Sequence, residues 1–333
     1  MPSSRTFSEI RLVNGSIGDP ALFIDYPGKN DAYLFDAGEN CRLDTTRLGD
    51  LCAVFITHHH VDHFIGFDRI VRANLDQDKS LSVYGPEGTI QKVYDRIKSY
   101  EHPFFPFQKL VIKVHELVPG ILRSALLECT RHFPEPEIRE ESWTGPVLYE
   151  NADLQIEAAF SDHTVPCLAF ALVEKSGYHP DPAKLAAGPL RPGDWVGKAL
   201  EMLREGQAAE TMLTIKGHPF ALSWLEEQYF SLSRGARVAY VTDTVWSEAV
   251  RPGLIKLANK AQRLYCDSYY APAQAKQAAL HKHMTADCAA ELARLAKVEE
   301  LILMHFAPRY AGRYEQLVEE ARAIFPKASA DLT

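Results

Sequence analysis

The run THHHVDH at positions 57–63 sets His58, His60, Asp62 and His63 in an H-x-H-x-D-H spacing, directly after the apolar segment 51–56. That segment reads as a buried strand. A strand that ends in such a cluster fans its side chains out at a sheet edge. His58 and His60 can grip one metal ion, and Asp62 and His63 a second beside it. Neutral imidazole with carboxylate suits zinc or a similar borderline ion. The plain alternative is a polar loop rich in histidine. Four ligands at this spacing, immediately after a strand, argue against it. His59 is expected to point away from the metals and to be structural.

Short apolar runs alternate with helical ones along the chain. Strands are expected over 32–35, 53–56, 81–84, 154–160, 167–173, 238–242 and 301–304. Helices are expected over 87–100, 194–204, 247–258 and 285–296, with Thr285 as an N-cap. Ligand types recur where strands end. Asp36 follows YLF, His58 follows VFIT, His163 follows the strand ending at Phe160, Asp243 follows VAYVT, and His305 follows LILM. In α/β architectures sites gather at one edge of the sheets, so these five ends point to one converging site.

If the ends converge, the first ion takes His58, His60 and His163. The second takes Asp62, His63 and His305. Asp243 bridges them, because a carboxylate has two oxygens to share. Two ions about 3.5–4 Å apart would acidify a water held between them and stabilise charge on attacking and leaving oxygens. Taken singly, His163 could be a core histidine, Asp243 a helix N-cap, and His305 a packing residue. Together with THHHVDH those readings weaken.

Bulk properties narrow the class. The 333 residues are 46% hydrophobic and 24% charged, as in an ordinary globular protein. No apolar stretch nears the roughly 18–20 residues that span a bilayer. The N-terminal MPSSRTFSEIRLV lacks the apolar core of a signal peptide, so no membrane association and a cytoplasmic location are expected. The net charge of −8 opposes a generic nucleic-acid binder without excluding a local basic patch. The six cysteines, Cys41, Cys52, Cys129, Cys167, Cys266 and Cys288, form no C-x-x-C pair and read as buried free thiols. Residues 101–150, with EHPFFPF and FPEPEIREESWTGP, look like an insertion, and so do residues 174–235; neither shows a clear core of its own.

Four segments carry a family resemblance: YLFDAGEN (33–40), THHHVDH, RVAYVTDT (237–244) and LILMHFAPRY (301–310). The chain resembles the metallo-β-lactamase superfamily and, within it, ribonuclease Z, the endonuclease that trims tRNA precursors at their 3′ end. The resemblance implies an α/β, four-layer αββα sandwich. It implies one domain over 1–333, with an insert at about 101–150 and an arm-like insert at about 174–215. KHMTADCAAELA (282–293) is similar to the family's His-Ser-Thr motif and maps that histidine onto His283, with His281 as the alternative. YCDSYY (265–270) stands where the family has His-Glu-Ala-Thr, so Asp267 replaces the Glu and Cys266 the His. By resemblance, Asp267 steers His283, which assists the leaving oxygen. Such a carboxylate-held imidazolium suits general-acid work. Asp62 then serves catalysis as well as the metal. Arg309 and Thr285 would meet substrate, and Asp36 would stand behind the ligands.

The family resemblance implies two divalent ions, zinc first, with manganese and iron fitting the same ligands. It also implies a homodimer acting on tRNA precursor. Departures weigh on the substrate. NGSIGDPALF (14–23) only loosely follows the family's Gly-rich turn, and Val61 stands where Gly is common. The arm mixes Lys184, Arg191, Lys198 and Arg204 with Asp181, Asp194, Glu201 and Glu205, whereas an RNA clamp should be basic. A phosphodiesterase for small substrates such as cyclic nucleotides is therefore the second reading. Another hydrolase of the same fold, such as a lactonase, and a binding protein with a vestigial site rank below it.

Overall fold

The computed structural model describes residues 9–26, 31–101, 105–233 and 235–332. The start of MPSSRTFSEIRLV and His102, Pro103 and Phe104 of EHPFFPF lie outside them. The first sheet has eight strands in chain order: β1 (Glu9–Leu12), β2 (Leu22–Tyr26), β3 (Asp31–Phe35), β4 (Leu51–Phe55), β5 (Ser80–Pro86), β6 (Val111–Val118), β7 (Ile121–Glu128) and β8 (Arg139–Ser142). β3 to β6 run parallel, with antiparallel strands on both flanks. β3 and β4 are almost wholly apolar because both of their faces are covered.

After β9 (Val147–Glu150), β10 (Leu154–Asp162) and β11 (Pro166–Glu174), the chain leaves for an arm. The arm pairs β12 (Gly177–Pro180) with β15 (Phe230–Ser233), and β13 (Met212–Ile215) with β14 (His218–Ala221). It returns as β16 (Arg237–Val241), β17 (Arg263–Asp267), β18 (Glu300–Met304) and β19 (Ala328–Ser329). The second sheet has the order β19-β18-β17-β16-β11-β10-β9. β16 to β19 are parallel.

The two sheets pack face to face through Phe35, Phe55, Phe170 and Tyr240, whose rings lie 5.1–6.0 Å apart where they meet. Each such buried aromatic contributes about 1.5–3 kcal/mol. The outer face of the first sheet is covered by the helices Phe67–Asn74 and Thr89–Lys98. That of the second is covered by Arg251–Ala258, Ala286–Ala296 and Tyr314–Arg322. This is the expected αββα sandwich. Parallel strands bring their carboxyl ends to one edge, where α/β proteins bind ligands.

Two expectations need correction. Residues 101–150 supply β6, β7 and β8 to the first sheet and β9 to the second, so most of that segment is integral to the sandwich. Charged residues disguised it: Glu116 in β6 is buried by accepting from Ile90 N–H at 3.2 Å and from Arg123 at 3.2 Å. The arm has a cluster of its own, including Leu185, Trp195, Leu200, Leu225 and Tyr229, and continues to β15 rather than stopping at about 215. The helix Asp194–Arg204 gives that cluster Trp195, Val196, Ala199, Leu200 and Leu203, which is helical spacing on one face. Among the described residues, no helix is long and apolar enough to cross a membrane.

Candidate metal centre

Strand ends deliver the site. His58 lies just beyond β4, His163 beyond β10, Asp243 beyond β16, and His305 directly after β18. Asp36, Asp243 and His305 adopt left-handed backbone conformations, with φ of 59°, 46° and 59°. Each turns the chain sharply where its strand stops. Such conformations cost on the order of 1–3 kcal/mol and persist where the surroundings enforce them. The short helix Val61–Phe64 carries Asp62 and His63.

Ligand atoms of His58, His60, His163 and Asp243 lie within 4.8 Å of one another, and so do those of Asp62, His63 and His305. The Asp243 carboxylate stands between the two groups. Its Oδ2 is 3.5 Å from His58 Nε2, 3.5 Å from His63 Nε2 and 3.7 Å from His163 Nε2, while its Oδ1 is 2.8 Å from His305 Nδ1. Asp62 Oδ2 lies 3.6 Å from His63 Nε2 and 3.2 Å from His305 Nε2. All seven expected ligands are thus brought together. The donor set fits divalent ions on one further count. Among the described residues, Nε2 of His58 and of His63 are buried without a hydrogen-bond partner, an arrangement that is costly unless a cation accepts their lone pairs.

A layer behind the ligands fixes their tautomers. Asp36, fully buried, accepts from Thr57 N–H at 2.7 Å, Thr57 Oγ1 at 2.8 Å, Tyr240 OH at 3.1 Å and His63 Nδ1 at 2.8 Å. His63 Nε2 is thereby left to face the site. His163 Nδ1 donates to the Lys282 carbonyl at 3.0 Å, presenting its Nε2 likewise. Such partners orient a metal-binding imidazole and raise its basicity. In the metal-free protein burial pulls the His63 imidazole down, but the Asp36 and Asp243 carboxylates overcome it and hold the group above its ordinary range, so an ion would bind Nε2 by displacing its proton. Burial, with His63 and His163 close by, drives His58 far below its ordinary range. His59 turns away, as expected: its Nε2 is 3.2 Å from Thr89 Oγ1 and its ring meets Phe64 edge-on.

His283 stands beside the ligands. A parallel bridge between Tyr270 and Thr285 brings its segment beside the chain just past β17, so the short Asp267 side chain reaches it directly. His283 Nδ1 lies 3.1 Å from Asp267 Oδ2. Asp267 also accepts from Tyr269 N–H at 3.0 Å and Met284 N–H at 3.1 Å. Burial opposes charge on His283, and Asp267 more than offsets it, holding the imidazole above its ordinary range. Burial likewise opposes the Asp267 carboxylate, yet His283 keeps it below the usual value. His281 is placed elsewhere, its Nδ1 bonded to Tyr270 OH at 2.6 Å.

The ligands open onto a cleft of about 280 Å³, lined by Asp62, Asp243, His283 and His305 together with Ile17–Pro20 of the NGSIGDPALF turn. Two expected substrate residues differ. Thr285 is buried, and its hydroxyl points to Cys288 Sγ at 3.1 Å, so it neither caps its helix through the side chain nor meets the cleft. Arg309 lies exposed over the Tyr270 ring at 5.2 Å, without a carboxylate partner among the described residues. Cys266 is a buried thiol against Met284 Sδ at 3.7 Å, whereas Cys41 is exposed, contrary to expectation. Sequence reasoning passed over Thr57, Tyr240, Tyr269 and Lys282. All four lie inside motifs already singled out, and hydrogen bonding or ring stacking in space, not spacing along the chain, reveals them.

Comparison with known proteins agrees with the geometry. Residues 20–75 match the sequence profile of the metallo-beta-lactamase superfamily. Ribonuclease Z of Deinococcus radiodurans is 31% identical over 304 residues, covering 89% of this chain and 88% of that protein. Ribonuclease Z of Thermococcus sibiricus is 29% identical over 314 residues, covering 92% and 85%. The crystal structure of human tRNase Z, short form, shares the fold with a TM-score of 0.53 at 18% identity, covering 89% of this chain and 92% of that one. The chain belongs to the ribonuclease Z family of the metallo-β-lactamase superfamily.

Proposed function

We propose that this protein is a dinuclear, metal-dependent phosphodiesterase of the ribonuclease Z type that cuts tRNA precursors at the 3′ trailer. The observation that carries the proposal is the gathering of His58, His60, His163 and Asp243 beside Asp62, His63 and His305, with His283 next to them, in a chain of this family. His58, His60 and His163 would hold one ion, and Asp62, His63 and His305 the other, with Asp243 shared. The donor set favours zinc, with manganese and iron compatible. Two bound divalent ions would acidify a water and neutralise charge on phosphoryl oxygens. Asp62 orders its side of the cleft through His305. Asp267 engages His283 Nδ1, so Nε2 is the nitrogen free to give a proton to the leaving oxygen. Arg309, exposed just after the cleft-lining Pro308, would meet a backbone phosphate. A homodimer is part of this reading. A cytoplasmic location goes with that substrate.

One observation favours a small phosphodiester instead. Two of the arm's cations are engaged within the protein. Lys184 Nζ donates to the Glu227 and Phe230 carbonyls, and Arg204 pairs with Asp153. The test is a paired assay of metal-loaded protein on a tRNA precursor with a 3′ trailer and on small diesters including cyclic nucleotides, with His283→Ala as control. Cleavage beside the discriminator base is expected. Hydrolysis confined to small diesters would establish the second reading.

A further inference from the structure

Tyr269 stands where the family's His-Glu-Ala-Thr motif has threonine, and its ring lines the cleft. It lies face to face with the His283 imidazole, with ring centroids 4.3 Å apart and planes 17° apart. On its other neighbour, His305, it packs at 5.1 Å and 50°. Its backbone N–H donates to Asp267 Oδ1 at 3.0 Å, so the same carboxylate anchors both members of the stack. A single hydrogen bond at Nδ1 decides which nitrogen His283 presents but leaves the ring free to rock about that bond. His163, His305 and Tyr270 also neighbour His283, at 5.1, 5.6 and 6.2 Å between ring centroids, but at 66°, 40° and 62° none of them lies parallel to it. Tyr269 is the one described ring stacked parallel to His283, and so the one that restrains its plane face-on. Among the described residues, the Tyr269 hydroxyl has no hydrogen-bond partner, so the ring is the working part.

We propose that Tyr269 is a positioning residue that fixes the plane of His283 by stacking, so that His283 Nε2 stays aimed into the cleft. This rests on the reading of His283 as the proton donor. A side chain displaced by about 1 Å can cost on the order of a hundredfold in rate.

The test compares Tyr269→Phe and Tyr269→Ala, each in the native and His283→Ala backgrounds, on tRNA precursor and on bis(p-nitrophenyl) phosphate. Metal content is measured for every variant. Tyr269→Phe is expected to keep near-native kcat. Tyr269→Ala is expected to lower kcat by about 10–100-fold, with KM and bound metal unchanged. In the His283→Ala background the alanine substitution should have little further effect, as expected for residues acting through one another. Equal loss in Tyr269→Phe and Tyr269→Ala, full loss in the His283→Ala background, or loss of metal would each overturn the proposal. The imidazole resonances of His283 give a readout independent of activity. The Nδ1 proton bonded to Asp267 should stay sharp in Tyr269→Phe and exchange-broaden in Tyr269→Ala. If the wild-type protein cleaves neither substrate, the proposed function fails, and an unchanged His283 signal in Tyr269→Ala would separately refute the stacking role.

Discussion

Asp36→Asn isolates the layer behind the metal ligands. Asparagine tolerates the left-handed backbone at this position (φ 59°), so the substitution changes charge and hydrogen bonding rather than the turn. The native carboxylate accepts from Thr57 N–H, Thr57 Oγ1, His63 Nδ1 and Tyr240 OH, with no donor of its own. An amide must direct its NH₂ at one of these groups, losing an acceptor for either Thr57 or His63. Bonds to a charged partner contribute about 1.5–3 kcal/mol each, so stability should fall by about 2–3 kcal/mol. His63 also loses the partner that fixes its tautomer, and loss of such a partner weakens metal binding about 10–100-fold, or about 1.4–2.8 kcal/mol. The ion held by His63, Asp62 and His305 should be the one affected. The ion on His58, His60 and His163 should be largely spared. Competition with a chromophoric chelator resolves the two affinities, and denaturant unfolding of the apo and loaded forms gives stability. Equal affinities in native and variant protein would refute the role assigned to Asp36.

His283→Ala should lower kcat by about 10²–10⁴-fold while leaving bound metal unchanged, as read by steady-state kinetics beside elemental analysis. Asp267→Asn should move the alkaline limb of the rate profile to lower pH. Asp267 holds His283 above its ordinary range, and a proton donor is lost as pH rises through its pKa, so removing that charge brings the loss forward. A pH–rate profile in which the limb does not move would contradict this. Gly66→Ala should destabilise by about 1–3 kcal/mol in denaturant titration, because a Cβ there would run into Gly38 O and the Asn40 side chain beneath the ligand loop.

The candidate metal ligands were legible because they follow apolar runs, and a strand end fixes where the next side chains emerge. THHHVDH, VAYVTDT and LILMHF each carried that signal within a few residues. The sandwich was legible for the same reason in β3, β4, β11 and β16, whose apolar runs are nearly unbroken. It was not legible in β6 and β7, where Glu116 and Arg123 pair with each other and interrupt the pattern. Thr285 is the N-cap residue of its helix, as its place ahead of the apolar run suggested, but only the fold shows its hydroxyl turned to Cys288. Tyr269 was invisible because stacking on His283 depends on a bridge between Tyr270 and Thr285 that no local spacing encodes.

The dinuclear centre is tested most directly by metal stoichiometry. Protein purified without chelators and reloaded with zinc should bind about two ions per chain by elemental analysis, falling to about one when His63 and His305 are both replaced by alanine. Binding of a single ion by the native chain, or retention of both by the double variant, would contradict the assignment of two ion sites around Asp243.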